Sequence, residues 1–197
     1  MARVDAGFTA IVTGDAPPAR GPALTGRELA WAAGLLPRPE VLFHADFESR
    51  RLAGFVGDLA PGRGLRGGSA LALRPDAGDA RWSHAARVPA GRLGAIRALD
   101  GTVVEVAVWS SHPGEVAVAC RNDTSGKTHR QRFQHPGSGW RTFTFPLLGM
   151  TTDYDPARDV VREGDLFVDL AVLVGGVAAD GEVLIDDVRV LRKVYGR

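Results

Sequence analysis

At 197 residues and 45% hydrophobic content, the chain can bury one sizeable core but not comfortably two. Its 24 basic and 23 acidic residues leave a net charge of +1, which excludes a nucleic-acid binder held by phosphate neutralisation. A single cysteine, Cys120, excludes an intrachain disulfide and a cysteine-built zinc site. No run approaches the ~20 apolar residues of a bilayer span, so no membrane insertion is expected, and no secretory signal pattern opens the chain. Localisation is therefore not read from the sequence.

Residues 1–40 form a linker-like segment. Asp15-Ala16-Pro17-Pro18 and Arg20-Gly21-Pro22 favour extended chain, because proline fixes φ and removes a donor. Thr25 and Glu28 then have the spacing of a capping box and Pro37 a stop, which predicts a short helix over 25–35. That helix either docks through Leu29, Trp31 or Leu35 or has no fixed structure.

From Val41 the pattern becomes that of strands, giving a second region over 41–195. Strands are predicted at 41–48, 69–73, 102–109, 115–121, 129–133, 140–145, 166–174 and 183–191. Ser111-His112-Pro113-Gly114 reads as the turn of a hairpin joining two of them. Frequent turn signals, with no helical period between strands, predict an all-β antiparallel sandwich of the jelly-roll kind. Cys120 falls on the apolar side of its strand and reads as a core thiol.

Four segments carry a family resemblance. They are Phe43-His44-Ala45-Asp46-Phe47-Glu48, Gly67-Gly68-Ser69-Ala70-Leu71-Ala72-Leu73, Gly139-Trp140-Arg141-Thr142-Phe143-Thr144-Phe145, and Gly181-Glu182-Val183-Leu184-Ile185-Asp186-Asp187-Val188-Arg189-Val190. In that order they resemble the galactose-binding-like jelly-roll carbohydrate-binding modules. The resemblance implies non-catalytic binding of a polysaccharide or oligosaccharide, on a concave sheet face or at edge loops, as part of a larger multidomain protein.

It also implies a structural Ca²⁺ ion, with Glu48 and Asp186 as carboxylate ligands, Asp46 or its carbonyl beside them, and carbonyls near Arg66 and Gly67. Calcium takes six to eight hard oxygens, which suits that donor set. Asp186 shares strand parity with Leu184, Val188 and Val190 and is expected to point inward, where an unpaired carboxylate is costly. Backbone amides or an arginine are the alternative partners.

Strand parity also suggests a sugar site. If Val104, Val106 and Val108 face the core, then Glu105 and Trp109 face outward. Val116, Val118 and Cys120 inward would leave Arg121 outward beside them, and the parity of 166–174 adds Asp169. Trp109, Glu105, Arg121 and Asp169 over a floor of alanines would make a shallow groove, with Trp82 as a rim platform or core residue. Trp140 reads as core. The long connection over 149–164, containing Thr151-Thr152-Asp153-Tyr154-Asp155-Pro156, is of the length often used for a functional loop.

Two other function classes stay open. One is a polysaccharide lyase or glycoside hydrolase on the same fold, hinted at by His129-Arg130-Gln131-Arg132, although the two tyrosines that could serve as base, Tyr154 and Tyr195, fall in a loop and at the C-terminus. The other is an interaction module without sugar binding.

Overall fold

The computed structural model describes residues 9–11, 19–21, 38–48, 52–75, 81–178 and 181–194. The chain divides into two compact units, residues 1–38 with 194–197, and residues 39–193. In the first, β1 (Thr9–Ile11) pairs antiparallel with β2 (Ala19–Gly21). The helix expected over 25–35 lies outside the described residues, among which there is no helix, and none therefore long and apolar enough to cross a membrane.

The second unit is all strand. In chain order these are β3 (Arg38–Ala45), β4 (Asp58–Ala60), β5 (Ala70–Ala72), β6 (Arg74–Pro75), β7 (His84–Val88), β8 (Ile96–Arg97) and β9 (Thr102–Ser110). They continue as β10 (Gly114–Asn122), β11 (Lys127–His135), β12 (Gly139–Pro146), β13 (Leu166–Phe167), β14 (Leu170–Gly175) and β15 (Val183–Val194). One sheet runs β12-β9-β15-β5-β4, with β3 also on β15; the other runs β6-β7-β14-β10-β13-β8, with β11 on the free side of β10.

Period-two alternation builds the core between these sheets. Val104, Val106 and Val108 of β9, Val116, Val118 and Cys120 of β10, Val172 and Val174 of β14, and Val183 and Ile185 of β15 belong to one buried cluster. Each such side chain contributes about 1.5–3 kcal/mol by leaving water. Cys120 is a core thiol as its parity predicts, and burial pushes its ionisation far up, so it is chemically inert.

Two expectations fail here. Residues 111–114 do not close a hairpin: β9 pairs with β12 and β15, whereas β10 pairs with β11, β13 and β14, so the chain crosses from one sheet to the other. A four-residue turn between alternating runs looks the same whether the strands pair or pack face to face.

Asp186 also departs from its expected parity. The register of β15 against β9 shifts between Asp186 and Arg189, and Asp187 has φ 50°. Val183 and Ile185 precede this bulge in the core and Val188 and Val190 follow it there, so Leu184 and Asp186 stand on the opposite face.

Candidate functional site

Two constellations of polar residues stand out, one at the bulge and one on the outer face of the β10 sheet. At the bulge, β3 leads into Asp46-Phe47-Glu48, with Phe47 buried and held at φ 57°. Together with Asp187 this puts two non-glycine residues in the left-handed region at one place, a strain that persists only where surrounding structure over-determines it. Glu48 reaches into the loop 64–69 and accepts the Ser69 N–H at 3.2 Å. A Cβ on Gly68 would stand 1.8 Å from its carboxylate oxygen, so only glycine leaves room there.

Asp186 enters the same cavity, of about 230 Å³, lined also by His44, Asp46, Leu65 and Arg189. It is 5% exposed and accepts N–H bonds from Leu65 at 2.8 Å and Asp187 at 2.7 Å. Burial raises its carboxyl above the usual range; those amides oppose the shift, and the charges of Glu48 and Asp187 add to it. Two neighbouring basic side chains turn to Asp187 instead: His44 Nε2 lies 2.8 Å from it, and Arg189 forks onto it, while Arg66 also lines the cavity. Burial opposes ionisation of Asp187, but those bonds prevail and hold its carboxyl below the usual range.

The chemistry of this donor set fits a hard cation. Two carboxylates, Glu48 and Asp186, line one cavity beside the glycine-rich turn 64–69, and among the described residues no basic side chain is hydrogen-bonded to either. Asp46 lines the cavity too, but its Oδ1 accepts the Glu48 N–H at 3.2 Å, and its side chain serves the turn. Among the described residues no three His, Cys, Asp or Glu side chains gather at metal-holding range, so any remaining ligands would be carbonyls and water.

The second constellation begins with strand parity. Ala117 and Ala119 of β10 face outward, opposite Arg132 and Arg130 of β11. Trp82 lies over this floor against Ala117, Ala119, Ala171 and Leu173, only 1% exposed, with the Arg81 guanidinium 5.4 Å from its ring centre. Asp153 of the loop 149–164 receives both the Arg130 and Arg132 guanidinia.

The loop is held firmly. Thr151 bridges to Arg130, with N–H to O distances of 2.8 and 3.2 Å, and also bridges to Val160. Lys127 Nζ is 2.6 Å from Asp159, whose carboxyl that bond lowers. Asp155 serves the turn, accepting the Arg158 N–H at 3.2 Å. The result is a cavity of about 830 Å³ lined by Lys127, Arg130, Asp153 and Tyr154, with the Tyr154 ring 99% exposed on its rim. Cavities of about 440 and 300 Å³ adjoin it through shared lining residues, making one trough along the sheet.

The predicted sugar residues divide between the two sheets. Arg121 and Asp169 do come together on the trough side, where Asp169 Oδ1 accepts the Arg121 N–H at 2.6 Å and bridges the break between β13 and β14. Trp109 and Glu105 do not join them, because β9 belongs to the other sheet. There Trp109 is half-buried, paired across strands with Trp140 and overlaid at 5.5 Å by Arg63, which forks onto Glu182. Trp140 shares that outer face and is not core. Trp82 is on that side of the sheet, but buried against Ala117, Ala119, Ala171 and Leu173 rather than a rim platform. Arg81, Arg132 and Asp153 were not singled out as sugar ligands; alternation within 129–132 and the length of the 149–164 loop were the available signals.

No family model and no curated protein matches the chain. Among solved structures, an exo-β-agarase is similar over 77% of this chain and 26% of its own, with a TM-score of 0.50 and 12% identity. The fold is a jelly roll. The CBM22-1 xylan-binding domain of Paenibacillus barcinonensis Xyn10C is similar over 82% of this chain and 99% of its own, with a TM-score of 0.47 and 15% identity. The Clostridium thermocellum xylanase 10B CBM22-1–GH10 modules, complexed with xylohexaose, are similar over 78% of this chain and 28% of their own, with a TM-score of 0.47 and 14% identity. The chain thus spans about a quarter of the agarase and xylanase chains. At these identities the likeness is one of fold.

Proposed function

We propose that the jelly roll is a non-catalytic carbohydrate-binding module whose trough takes a stretch of polysaccharide or oligosaccharide. In this reading Tyr154 stacks on a sugar ring, while Arg130, Arg132 and Asp153 present a fixed fork of donors and acceptors to hydroxyls. The observation that carries it is the Tyr154 ring, 99% exposed on a loop pinned by backbone bridges and ion pairs beside a charged trough. A rigidly presented aromatic with no packing role of its own is what a stacking platform requires.

Of the residues in the lyase reading, His129 is turned away from the trough, and Tyr154 on its rim is assigned to stacking rather than to proton transfer. His129 pairs with Cys120 and is 2% exposed, on the core side of β11, so the one histidine of the 129–132 segment does not share a face with Arg130 and Arg132. A base and its charge-neutralising neighbours would have to share one face. In the same reading Glu48 and Asp186 hold a structural calcium ion, the charge that two converging carboxylates lack.

Titration calorimetry against a panel of oligosaccharides tests the module. Tyr154→Ala should abolish binding while leaving unfolding unchanged. Retained affinity in that variant would remove the trough from consideration, release of product would make the chain an enzyme, and absence of any glycan ligand would leave an interaction module.

A further inference from the structure

Tyr154, on the rim of the trough, cannot fix its own place: its ring is 99% exposed, so the backbone on either side must hold it. On the following side the bonds stay within the loop. The Asp155 N–H donates to the Thr152 hydroxyl at 3.3 Å, and the Asp155 carboxylate accepts the Arg158 N–H at 3.2 Å. On the preceding side Asp153 is tied to the sheet, with Oδ2 on Arg130 Nη1 and Oδ1 on Arg132 Nη2. Among the described residues the other ties of this loop to β11 lie further from Tyr154, at Thr151 on Arg130 and at Asp159 on Lys127.

Both ties at Asp153 come from one strand. Arg130 and Arg132 are two apart on β11 and so project from the same face. Each gives one nitrogen to one carboxylate oxygen. The side chains of Arg130, Arg132 and Asp153 are only 24%, 33% and 29% exposed, so salt screens these bonds less than it screens a surface pair. The contacts continue inward. Arg132 Nε lies 3.4 Å from Glu115, Glu115 takes Arg81 at 3.4 Å, and the Arg81 guanidinium lies 5.4 Å from the centre of the Trp82 ring. A continuous run of contacts thus joins the residue before Tyr154 to the buried Trp82.

We propose that Asp153 is the positioning residue of the site: it fixes the backbone from which Tyr154 projects, so that the platform is in place before the sugar arrives. This rests on the trough being the glycan site, and it gives Asp153 a role beyond the acceptor oxygens shown to a hydroxyl. With the tie cut, the loop is in place only part of the time. The apparent affinity then falls by that fraction, while the contacts made in the complex stay as they were. An acceptor lost from the complex itself acts differently and speeds dissociation.

Asp153→Asn keeps the shape of the side chain and removes the charge that holds two guanidinia. Calorimetry and stopped-flow fluorescence of the full chain with xylan, galactan and agarose oligomers give the affinity and its rates. Amide hydrogen exchange over 149–161 reports on the loop. Asp153→Asn should lower the affinity about tenfold through the association rate and leave the dissociation rate unchanged. Exchange of the Thr151, Thr152 and Val161 N–H groups, which bond Arg130, Asp159 and Met150, should quicken in the same variant. Arg132→Gln cuts one of the two ties from the strand side and should act in the same direction, so the result does not hang on the folding of one variant. Unchanged affinity in Asp153→Asn overturns the positioning role and leaves the module intact. A loss confined to faster dissociation, with loop exchange unaltered, does the same and makes Asp153 a contact alone. Retained affinity in Tyr154→Ala removes the platform itself, and failure of every oligomer removes the module and the inference together.

Discussion

Two aromatic residues on the same side of one sheet have opposite roles. Trp82 is 1% exposed against Ala117, Ala119, Ala171 and Leu173, whereas Tyr154 is 99% exposed. Truncating the first leaves a cavity over a floor of alanines too small to collapse into it, and Trp82→Ala should cost about 3–5 kcal/mol. Tyr154→Ala should cost no more than about 0.5 kcal/mol, the usual range for a surface change. Denaturant unfolding of the two variants measures both, and a mild Trp82→Ala would mean that the tryptophan is not part of the packing. Two histidines add a pH dependence. His84 and His129 are 1% and 2% exposed, and burial is the main cause that lowers the pKa of each from the ordinary 6.5. The folded state holds them neutral, so their contribution to stability is present above about pH 6.5 and is lost as pH falls below it, where the unfolded chain takes up protons first. Melting temperature followed from neutral to acid pH should decline through this window, and His84→Gln with His129→Gln should flatten the decline; an unchanged slope would place the acid sensitivity elsewhere.

At the scale of elements, what was legible depended on how local the signal is. The long strands β9 and β10 appear in the sequence because each alternates apolar residues over enough positions to fix a period. β7 was missed: its inward positions are His84, Ala86 and Val88, and a histidine and an alanine do not read as an apolar face. Sheet membership was not legible at all for β9 and β10, since parity says which residues of a strand face inward but not which strand lies beside it. That is why Trp109 and Glu105 were grouped with Arg121 and Asp169 and are found on the other sheet. The bulge in β15 was equally hidden. It reverses the parity of Asp186 relative to Val188 and Val190, and its trigger is an aspartate in the left-handed region, a conformation aspartate tolerates without advertising. Glu48 and Asp186 nevertheless line one cavity, a proximity that matching of segments can suggest and strand parity cannot.

At the scale of the whole unit, Glu48 and Asp186 stand near its two chain ends, one just past β3 and the other on β15, with the loop 64–69 closing over both. An ion held there would tie three segments distant in sequence, and the free energy of its binding would appear as folding stability, since the unfolded chain presents no such site. Without the ion the same geometry is a liability, because burial and the charge of Glu48 both oppose ionisation of Asp186. Calcium at a hundredfold excess over its dissociation constant should therefore stabilise the unit by about 2.7 kcal/mol. For a domain of this size that is a rise in melting temperature on the order of 5–10 °C over the chelated protein. Magnesium should do less, because it demands a tighter octahedral shell and gives up water reluctantly. Two variants separate an ion from a general salt effect. Glu48→Gln removes a ligand charge, and Gly68→Ala places a Cβ where the Glu48 carboxylate sits, at 1.8 Å, and must expel it. Both should melt at the same temperature with calcium and with chelator, even if Gly68→Ala starts lower through strain in the loop. Equal melting of the unaltered protein with calcium and with chelator would mean that the two carboxylates are reconciled without a metal, through protonation of Asp186 and its bonds to the Leu65 and Asp187 amides.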